Sequence, residues 1–517
     1  MATAHEKLAS SLQALKTLQD GGHRAIASKA LSRTHRERLV HAGFLEEVIK
    51  GWYLPTRPGE QVGSTAAWFA GMRDFVAGYC TERFQDAWHL SPEQSLLLLS
   101  GERSLPRQLQ IWAPEGNNQV VELLHGCSLF LYRARAALPS DASEEDKSLR
   151  LVHLPAALVA VGPSFFTQNP MAARIALGLV DDPTALLERL LAGSHSTIAG
   201  RLAGAFRTLG NDAIADTLVD TMRSAGHTVQ LTSPFDQPQE PLRAGRPESP
   251  YVQRLRLTWA QLRQPVLDAF KGVQPRHLPS PAVAKQVVQE AELRYVADAY
   301  HSLSIEGYRV SSELIELVRS GNWDPEGADR SQRDAMAAKG YHEAHKRVME
   351  FIERALQQPE GALKLQTEMS RWYVALFSPG VQAGLLKPGD LAGWRNDQVF
   401  IKGARHVPLS REAVRDCMPV LFEMMEAESD ATVRAVLGHF VFVYIHPYMD
   451  GNGRLARFLM NAMLASAGYA WTIVPVQLRD EYMNALDKAS SEGNIGPFAG
   501  LVARLVQEQT AAPLPRP

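Results

Sequence analysis

Cysteine is scarce in this chain of 517 residues: only Cys80, Cys127 and Cys417 occur, far apart and without a metal-ligand spacing. That excludes a disulfide-built scaffold and a cysteine-held zinc, and each thiol reads as a small buried hydrophobe in a reducing compartment. An excess of one charge is lacking too. The 54 lysines and arginines against 56 aspartates and glutamates leave a formal net charge of −2. No global field therefore draws nucleic acid or an anionic membrane, and any basic surface must be local. Long apolar runs are absent as well. The strongest, "SLLLLS" and "HFVFVYIH", fall well short of the ~20 residues that span a bilayer. The N-terminal "MATAHEKLASSLQALKTLQD" breaks its apolar pattern with charges and has no uninterrupted signal-peptide core. The expectation is a soluble cytoplasmic protein with no membrane partner.

At 45% hydrophobic and 21% charged, the composition is globular, and the length suggests roughly three domains on the usual ~150-residue prior. The proline-rich "SPFDQPQEPLRAGRPESP", residues 233–250, is predicted to be an extended linker and the main domain break. Before it, residues 1–60 run as helix, short helix, basic helix "RTHRERLVHAG" and a hairpin-like "FLEEVIKGWYLP", the order of a winged helix-turn-helix. Arg33, Arg36 and Arg38 on the basic helix are candidate DNA contacts. Residues 61–232 mix short apolar strands with helices. After the linker, residues 251–517 read mostly as helices, with the strand-like "DQVFIKGARHVPL" as the exception.

The densest chemistry lies in "YIHPYMDGNGRLARFLMN", residues 444–461. The helix before it places Val433, Val436, Leu437, Phe440, Val441 and Tyr444 at helical spacing, and the helix after it does so with Leu455, Phe458, Leu459, Ala462 and Met463. The intervening turn is predicted to be a tight loop held between buried helices. Backbone N–H groups in a first helical turn lack intrahelical partners and face an approaching anion. Gly451 and Gly453 would let that backbone come close to a phosphate. Arg454 and Arg457 sit one turn apart on the helix. Cations at this end oppose the helix macrodipole, so an anionic ligand is expected to compensate them, and guanidinium groups bind phosphate oxygens in bidentate fashion. Asp450 is a hard oxygen donor suited to Mg²⁺ shared with a nucleotide. His446 could remove a proton from an attacking hydroxyl. Each residue alone has an ordinary structural reading; their occurrence within twelve residues points to phosphate chemistry.

"HPYMDGNGRLAR" resembles the HPFx(D/E)GNGRxxR motif of the Fic family, and "HFVFVYIHPY" resembles the helix that leads into it; the likeness extends over about residues 280–505. Most members transfer AMP from ATP to a protein hydroxyl. The resemblance implies a mainly α protein whose all-α Fic domain carries a β-hairpin flap and an inhibitory helix. It also implies ATP as substrate, Mg²⁺, and a target protein offering a Ser, Thr or Tyr hydroxyl. His446 would be the general base, Asp450 the Mg²⁺ ligand, Asn452 with the Gly451 to Gly453 backbone the α-phosphate cradle, and Arg454 and Arg457 the β- and γ-phosphate ligands. Tyr448 stands where Phe is usual, so its hydroxyl needs a partner.

Two further segments match the family. In "LAGWRNDQVFIKGARHVPLS", Val399 and Ile401 fall on one strand face, where the resemblance implies a flap that pairs with the target backbone; Tyr482 downstream is a plausible adenine contact. In "AYHSLSIEGYRVSS", Gly307 ends a helix and leaves Glu306 in its last turn, where the dipole disfavours an acid and a cationic partner is expected. Ser302, Glu306 and Gly307 resemble the inhibitory (S/T)xxxE(G/N) motif, implying that Glu306 pairs with Arg457 and blocks the γ-phosphate.

Residues 1–232 resemble AbiEi-type antitoxins and regulators, a winged helix followed by a small α/β and helical region. The leading expectation is an autoinhibited protein adenylyltransferase. The alternatives are a DNA-binding regulator whose Fic module senses nucleotide or modifies itself, and an enzyme that removes AMP, with Glu306 orienting water. A homodimer is expected if residues 1–60 are to hold duplex DNA usefully. The intact "GNGR" argues against the kinase-like relatives.

Overall fold

Helices with buried apolar stripes make up most of the chain in the computed structural model, which describes residues 3–56, 58, 66–104, 106–142, 149–236, 248–277, 280, 283–323, 332–357, 364–401 and 403–512. The fold is mainly α. The chain divides into two units, Met1–Arg254 with Phe400–Val407, and Leu255–Val399 with Pro408–Pro517. Of the predicted linker, residues 237–247 lie outside the described residues.

The first unit opens with α1 (Ala4–Asp20), closed at its start by a capping box between Thr3 and Glu6. There follow β1 (Ile26–Ala27), α2 (Arg33–His41), β2 (Leu45–Ile49) and β3 (Trp52–Pro55). The strands form an antiparallel sheet in the order β1-β3-β2, and Leu15, Ile26, Leu31, Leu39 and Leu45 make a small core beneath it. After α3 (Ala66–Phe84) come β4 (His89–Leu90), α4 (Pro92–Leu99), β5 (Gln108–Ala113), β6 (Gln119–Glu122) and β7 (Ser128–Arg133). This second sheet has the order β4-β5-β7-β6, with β5 and β7 parallel. Helices between Leu154 and Ser224 complete the unit around Phe166, Leu177, Leu202, Phe206 and Leu218.

In the second unit the helices that position the site are α5 (Ala284–Ile305), α6 (Gln332–Gln357), α7 (Leu365–Gln382), α8 (Ala431–Ile445), α9 (Asn452–Ser466) and α10 (Arg479–Glu492). Asp430 starts α8 by accepting from the N–H groups of Thr432 and Val433 at 2.9 and 3.0 Å. Val433, Val436, Leu437, Phe440 and Val441 on α8, and Leu455, Phe458, Leu459 and Ala462 on α9, are all at most 1% exposed. At roughly 1.5–3 kcal/mol for each large side chain buried, this pair of helices is an anchored frame for the turn between them.

Lys402 of the expected flap lies outside the described residues, and the described residues around it form no named strand. Residues 398–401 lie outside the named strands, and Gln398 Nε2 donates to the carbonyls of Val399 and Pro408 at 3.1 and 2.8 Å, so a side chain replaces cross-strand backbone bonds. Pro408 has no N–H to offer a ladder, and His406 makes a single antiparallel bridge with Ser104 inside the first unit. The three cysteines are free and buried; burial pushes the Cys80 and Cys417 thiols up, away from reactivity. No helix among the described residues is long and apolar enough to cross a membrane.

Candidate active site

Helix α8 ends by turning into His446, which adopts a left-handed conformation with φ 55° and ψ 61°. For a residue with a Cβ this costs on the order of 1 kcal/mol, so neighbouring bonds must hold it. The His446 N–H donates to Phe442 O at 2.9 Å. Its carbonyl accepts from Arg395 Nε at 2.7 Å. The ring Nδ1 lies 3.2 Å from Val443 O; a carbonyl only accepts, so Nδ1 carries the hydrogen and Nε2 keeps its lone pair. Burial pushes the imidazole down to about 4, against the Val443 bond and with help from the Arg395 charge. His446 is thus a neutral base at physiological pH.

The turn that follows is braced from within. Asn452, 2% exposed, accepts from Tyr448 N at 3.0 Å and donates to Tyr448 O at 2.8 Å. Its side chain therefore holds the turn closed, leaving the backbone as the surface presented to a ligand. The Tyr448 ring stacks on Tyr373 at 3.9 Å and 11°. Burial raises its phenol, while the neighbouring Ser370 and Trp394 side chains act the other way. Asp450 Oδ1 accepts from Gly451 N at 2.6 Å. Gly451 has φ 84°, and a Cβ there would stand 2.7 Å from the Phe377 ring, so only glycine fits.

Helix α9 begins at this point without a side-chain cap, which leaves its first N–H groups for an anion. A carboxylate already stands over them. A Cβ on Gly453 would be 2.3 Å from Glu306 Oε1, so the missing side chain is the space the acid occupies. Glu306 Oε1 accepts from Arg457 Nη2 at 2.7 Å, and Ser302 holds the same guanidinium through its Oγ to Nε at 2.9 Å and its carbonyl to Nη2 at 3.1 Å. Burial would lower the Arg457 pKa, but the Glu306 charge and hydrogen bond outweigh it and the net direction is upward. Gly307, with φ 85°, follows the end of α5 beside this contact.

Arg454 is 1% exposed and lies 5.1 Å from both the Tyr308 and Phe377 ring centroids. Its Nη2 forms an ion pair with Asp450 Oδ2 at 3.1 Å, and its Nε has no acceptor among the described residues. A buried guanidinium with an unused Nε–H has the chemistry to bind an anion. Asp450 is 59% exposed at the side chain, and no group of three or more metal-ligating side chains occurs among the described residues. A single hard oxygen of this kind fits Mg²⁺ that takes its other ligands from phosphates and water.

The other expected residues are spread more widely. Tyr482 is 2% exposed, with its hydroxyl 2.8 Å from His439 Nε2 and its ring against Phe498, and the Arg457 and Glu306 charges act on it. Val399 belongs to the second unit and Ile401 to the first. Arg33 is exposed and paired with Glu37 at 2.7 Å. Arg36 donates to Ser28 O, and Arg38 to Lys7 O and Ser11 Oγ, so both brace the small N-terminal core. Two residues escaped the sequence reading. Asp298, 3% exposed, accepts from Tyr341 Oη at 2.6 Å one turn before Ser302; its position four residues before Ser302, itself four before Glu306, was the available signal. Arg395 had none, since its acceptors are backbone carbonyls.

Residues 341–464 match the model of the Fic/DOC family. The matched segment is similar to Fic/DOC domains. It holds His446, Asp450, Asn452, Arg454 and Arg457, while Glu306 and Ser302 come from the helix before it. The chain is 28% identical over 233 residues to protein adenylyltransferase fic-1 of Caenorhabditis elegans, covering 44% of this chain and 42% of the relative. It is 27% identical over 254 residues to protein adenylyltransferase Fic of Nematostella vectensis, covering 48% and 55%. The chain thus spans about two fifths to just over half of the length of these curated relatives. Among solved structures, Fic-1 residues 134–508 from C. elegans is 22% identical, covers 66% of this chain and 96% of that one, and has a TM-score of 0.37.

Proposed function

We propose that the protein is an adenylyltransferase that moves AMP from ATP to a side-chain hydroxyl of a target protein, and that Glu306 holds it in an inhibited state. The observation that carries this is the anion position at the start of α9. Glu306 stands over the Gly453 backbone where a phosphate would lie, and Arg454 beside it keeps a buried Nε–H unused. The carboxylate oxygens of Glu306 stand in for phosphate oxygens.

In the active state the α9 N–H groups cradle the α-phosphate, and Arg454 and Arg457 take the β- and γ-phosphates. Mg²⁺ held by Asp450 and the phosphates would neutralise charge on the leaving group. His446 Nε2 takes the proton of the target hydroxyl as its oxygen attacks the α-phosphorus; the bond to the β-phosphate oxygen breaks and pyrophosphate leaves. Val443 O accepts from Nδ1–H before and after the transfer, so the proton arrives at Nε2 and the imidazolium stays oriented. With Glu306 on Arg457, the γ-phosphate has neither its cation nor its space.

For residues 1–60 we infer a winged-helix role, supported by the order α1, α2 and hairpin with the β1-β3-β2 sheet. With Arg36 and Arg38 bonded internally, contact with duplex DNA would rest mainly on Arg33.

The test of the main reading is incubation of wild type, Glu306→Gly and His446→Ala with ATP labelled at the α- or the γ-phosphate, in lysate. Label from the α- but not the γ-position should appear on protein with Glu306→Gly and vanish with His446→Ala. Label from the γ-position would make the reaction a phosphoryl transfer and overturn the reading.

A further inference from the structure

One buried arginine outside the motif grips the catalytic histidine from the backbone side. Arg395 is 2% exposed. Its own N–H donates to Pro447 O at 2.8 Å and its Nε to His446 O at 2.7 Å. The other arm of the guanidinium reaches the segment that follows it: Nη1 donates to Asp397 O at 2.8 Å, and Nη2 to Leu409 O. The rigid fork therefore ties the Asp397 and Leu409 carbonyls to the His446 carbonyl, and the Arg395 backbone N–H adds Pro447 O.

The need for such a grip comes from His446 itself. A left-handed residue at a helix end turns its carbonyl away from the helix, and a buried carbonyl without a donor is costly. Arg395 supplies the donor and fixes where that carbonyl points, which fixes the Cα–Cβ direction and hence the position of Nε2. We propose that Arg395 is a positioning residue for the transfer reaction, holding the His446 imidazole in its attack geometry and bracing it on the Asp397 and Leu409 backbone. This rests on the reading of His446 as the general base. A lysine cannot replace it, because one ammonium cannot reach three diverging carbonyls at fixed angles.

The effect expected is one of geometry. A misplacement of about 1 Å in a reacting group lowers rate by roughly 10²-fold, while the phosphate ligands Gly453, Arg454 and Arg457 stay as they were. In the Glu306→Gly background, Arg395→Met should therefore lower kcat for AMP transfer by about 10²-fold with KM for ATP within threefold. Arg395→Lys should recover less than a tenth of the loss. A second readout needs no AMP transfer: the imidazole resonances of His446, assigned by comparison with His446→Gln and followed against pH. Besides Arg395, the charges acting on this ring are Glu306 and Asp450. In the parent the ring should titrate well below an ordinary histidine as a single Nδ1–H tautomer; in Arg395→Met its midpoint should move up and both tautomers should appear.

Should Arg395→Met fail to fold, Arg395→Lys, which keeps the charge and one donor, carries the kcat and tautomer measurements. An unchanged kcat overturns the proposal, as does a lower kcat with unmoved tautomer and midpoint, since general loosening would produce that pattern. Should the Glu306→Gly parent transfer no AMP, the functional reading fails, and the His446 spectra alone decide for or against Arg395.

Discussion

Replacing Glu306 by Gln keeps the shape of the side chain and removes only its charge, which makes the inhibitory contact measurable as stability. Arg457 is 4% exposed at the side chain and Glu306 30%. Removing one partner of a fully buried pair costs about 3–5 kcal/mol. Partial solvent access to Glu306 roughly halves that, to about 2 kcal/mol. The acid also sits at the wrong end of its own helix, so its loss returns about 0.3–1 kcal/mol there. The two Ser302 bonds to Arg457 remain. The net is a loss of about 1–2 kcal/mol, or roughly 3–6 °C in the melting temperature of a unit of this size. Nucleotide should reverse the order. A non-hydrolysable ATP analogue at 100 times its Kd adds about 2.7 kcal/mol, and it should do so at lower concentration for Glu306→Gln, whose anion site is vacated. Calorimetry with and without the analogue reads both effects. If apo Glu306→Gln melts at or above wild type, and the analogue shifts both proteins equally, Glu306 is not held in the anion site in solution.

Three other outcomes are expected. His446→Ala should lower AMP transfer by ~10² to 10⁴ while ATP affinity, measured by equilibrium binding, stays within a few-fold; transfer within threefold of the parent removes His446 from the mechanism. Burial holds His345 and His439 down to about 3 and His446 down to about 4. The unfolded chain, with histidines near their ordinary ~6.5, takes up protons that the folded state refuses, so their contribution is present above that pH and is lost as pH falls toward 3–4. Urea midpoints should accordingly drop between pH 7 and 4.5, by up to ~1.4 kcal/mol per pH unit for each histidine, whereas a flat profile means these rings are not buried neutral. Full-length protein should bind duplex DNA weakly and with steep salt dependence, and Arg33→Ala should reduce that binding; no salt-sensitive shift in either protein makes residues 1–60 a protein-interaction module.

The catalytic turn was legible because everything it needs is local. Gly451, Asn452, Gly453 and the two arginines announce an anion site through spacing alone, and the buried stripes of Val433 to Val441 and Leu455 to Ala462 announce its frame. Glu306 was legible for a different reason: an acid in a last helical turn is out of place electrostatically, which points to a cation without naming its position in the chain. Arg395 was invisible, because it binds the carbonyl of a residue 51 positions away and every residue has a carbonyl. The same limit explains Asn452, whose side chain turns back onto the Tyr448 backbone, and Arg36 and Arg38, which look like a basic surface until Ser28, Lys7 and Ser11 are seen to hold them. The flap departed from its strand pattern because Pro408 and the Gln398 side chain replace the ladder bonds that alternation presumes.

The central claim is that one guanidinium serves two anions in turn, Glu306 at rest and the γ-phosphate in turnover. Initial rates of AMP transfer by wild type, Glu306→Gly, Arg457→Ala and the double variant, at saturating ATP, test it directly. Glu306→Gly should be faster than wild type by an order of magnitude or more, and Arg457→Ala should cancel that gain, since paired residues are not additive. A Glu306→Gly protein no faster than wild type, or a double variant as fast as Glu306→Gly, would contradict it.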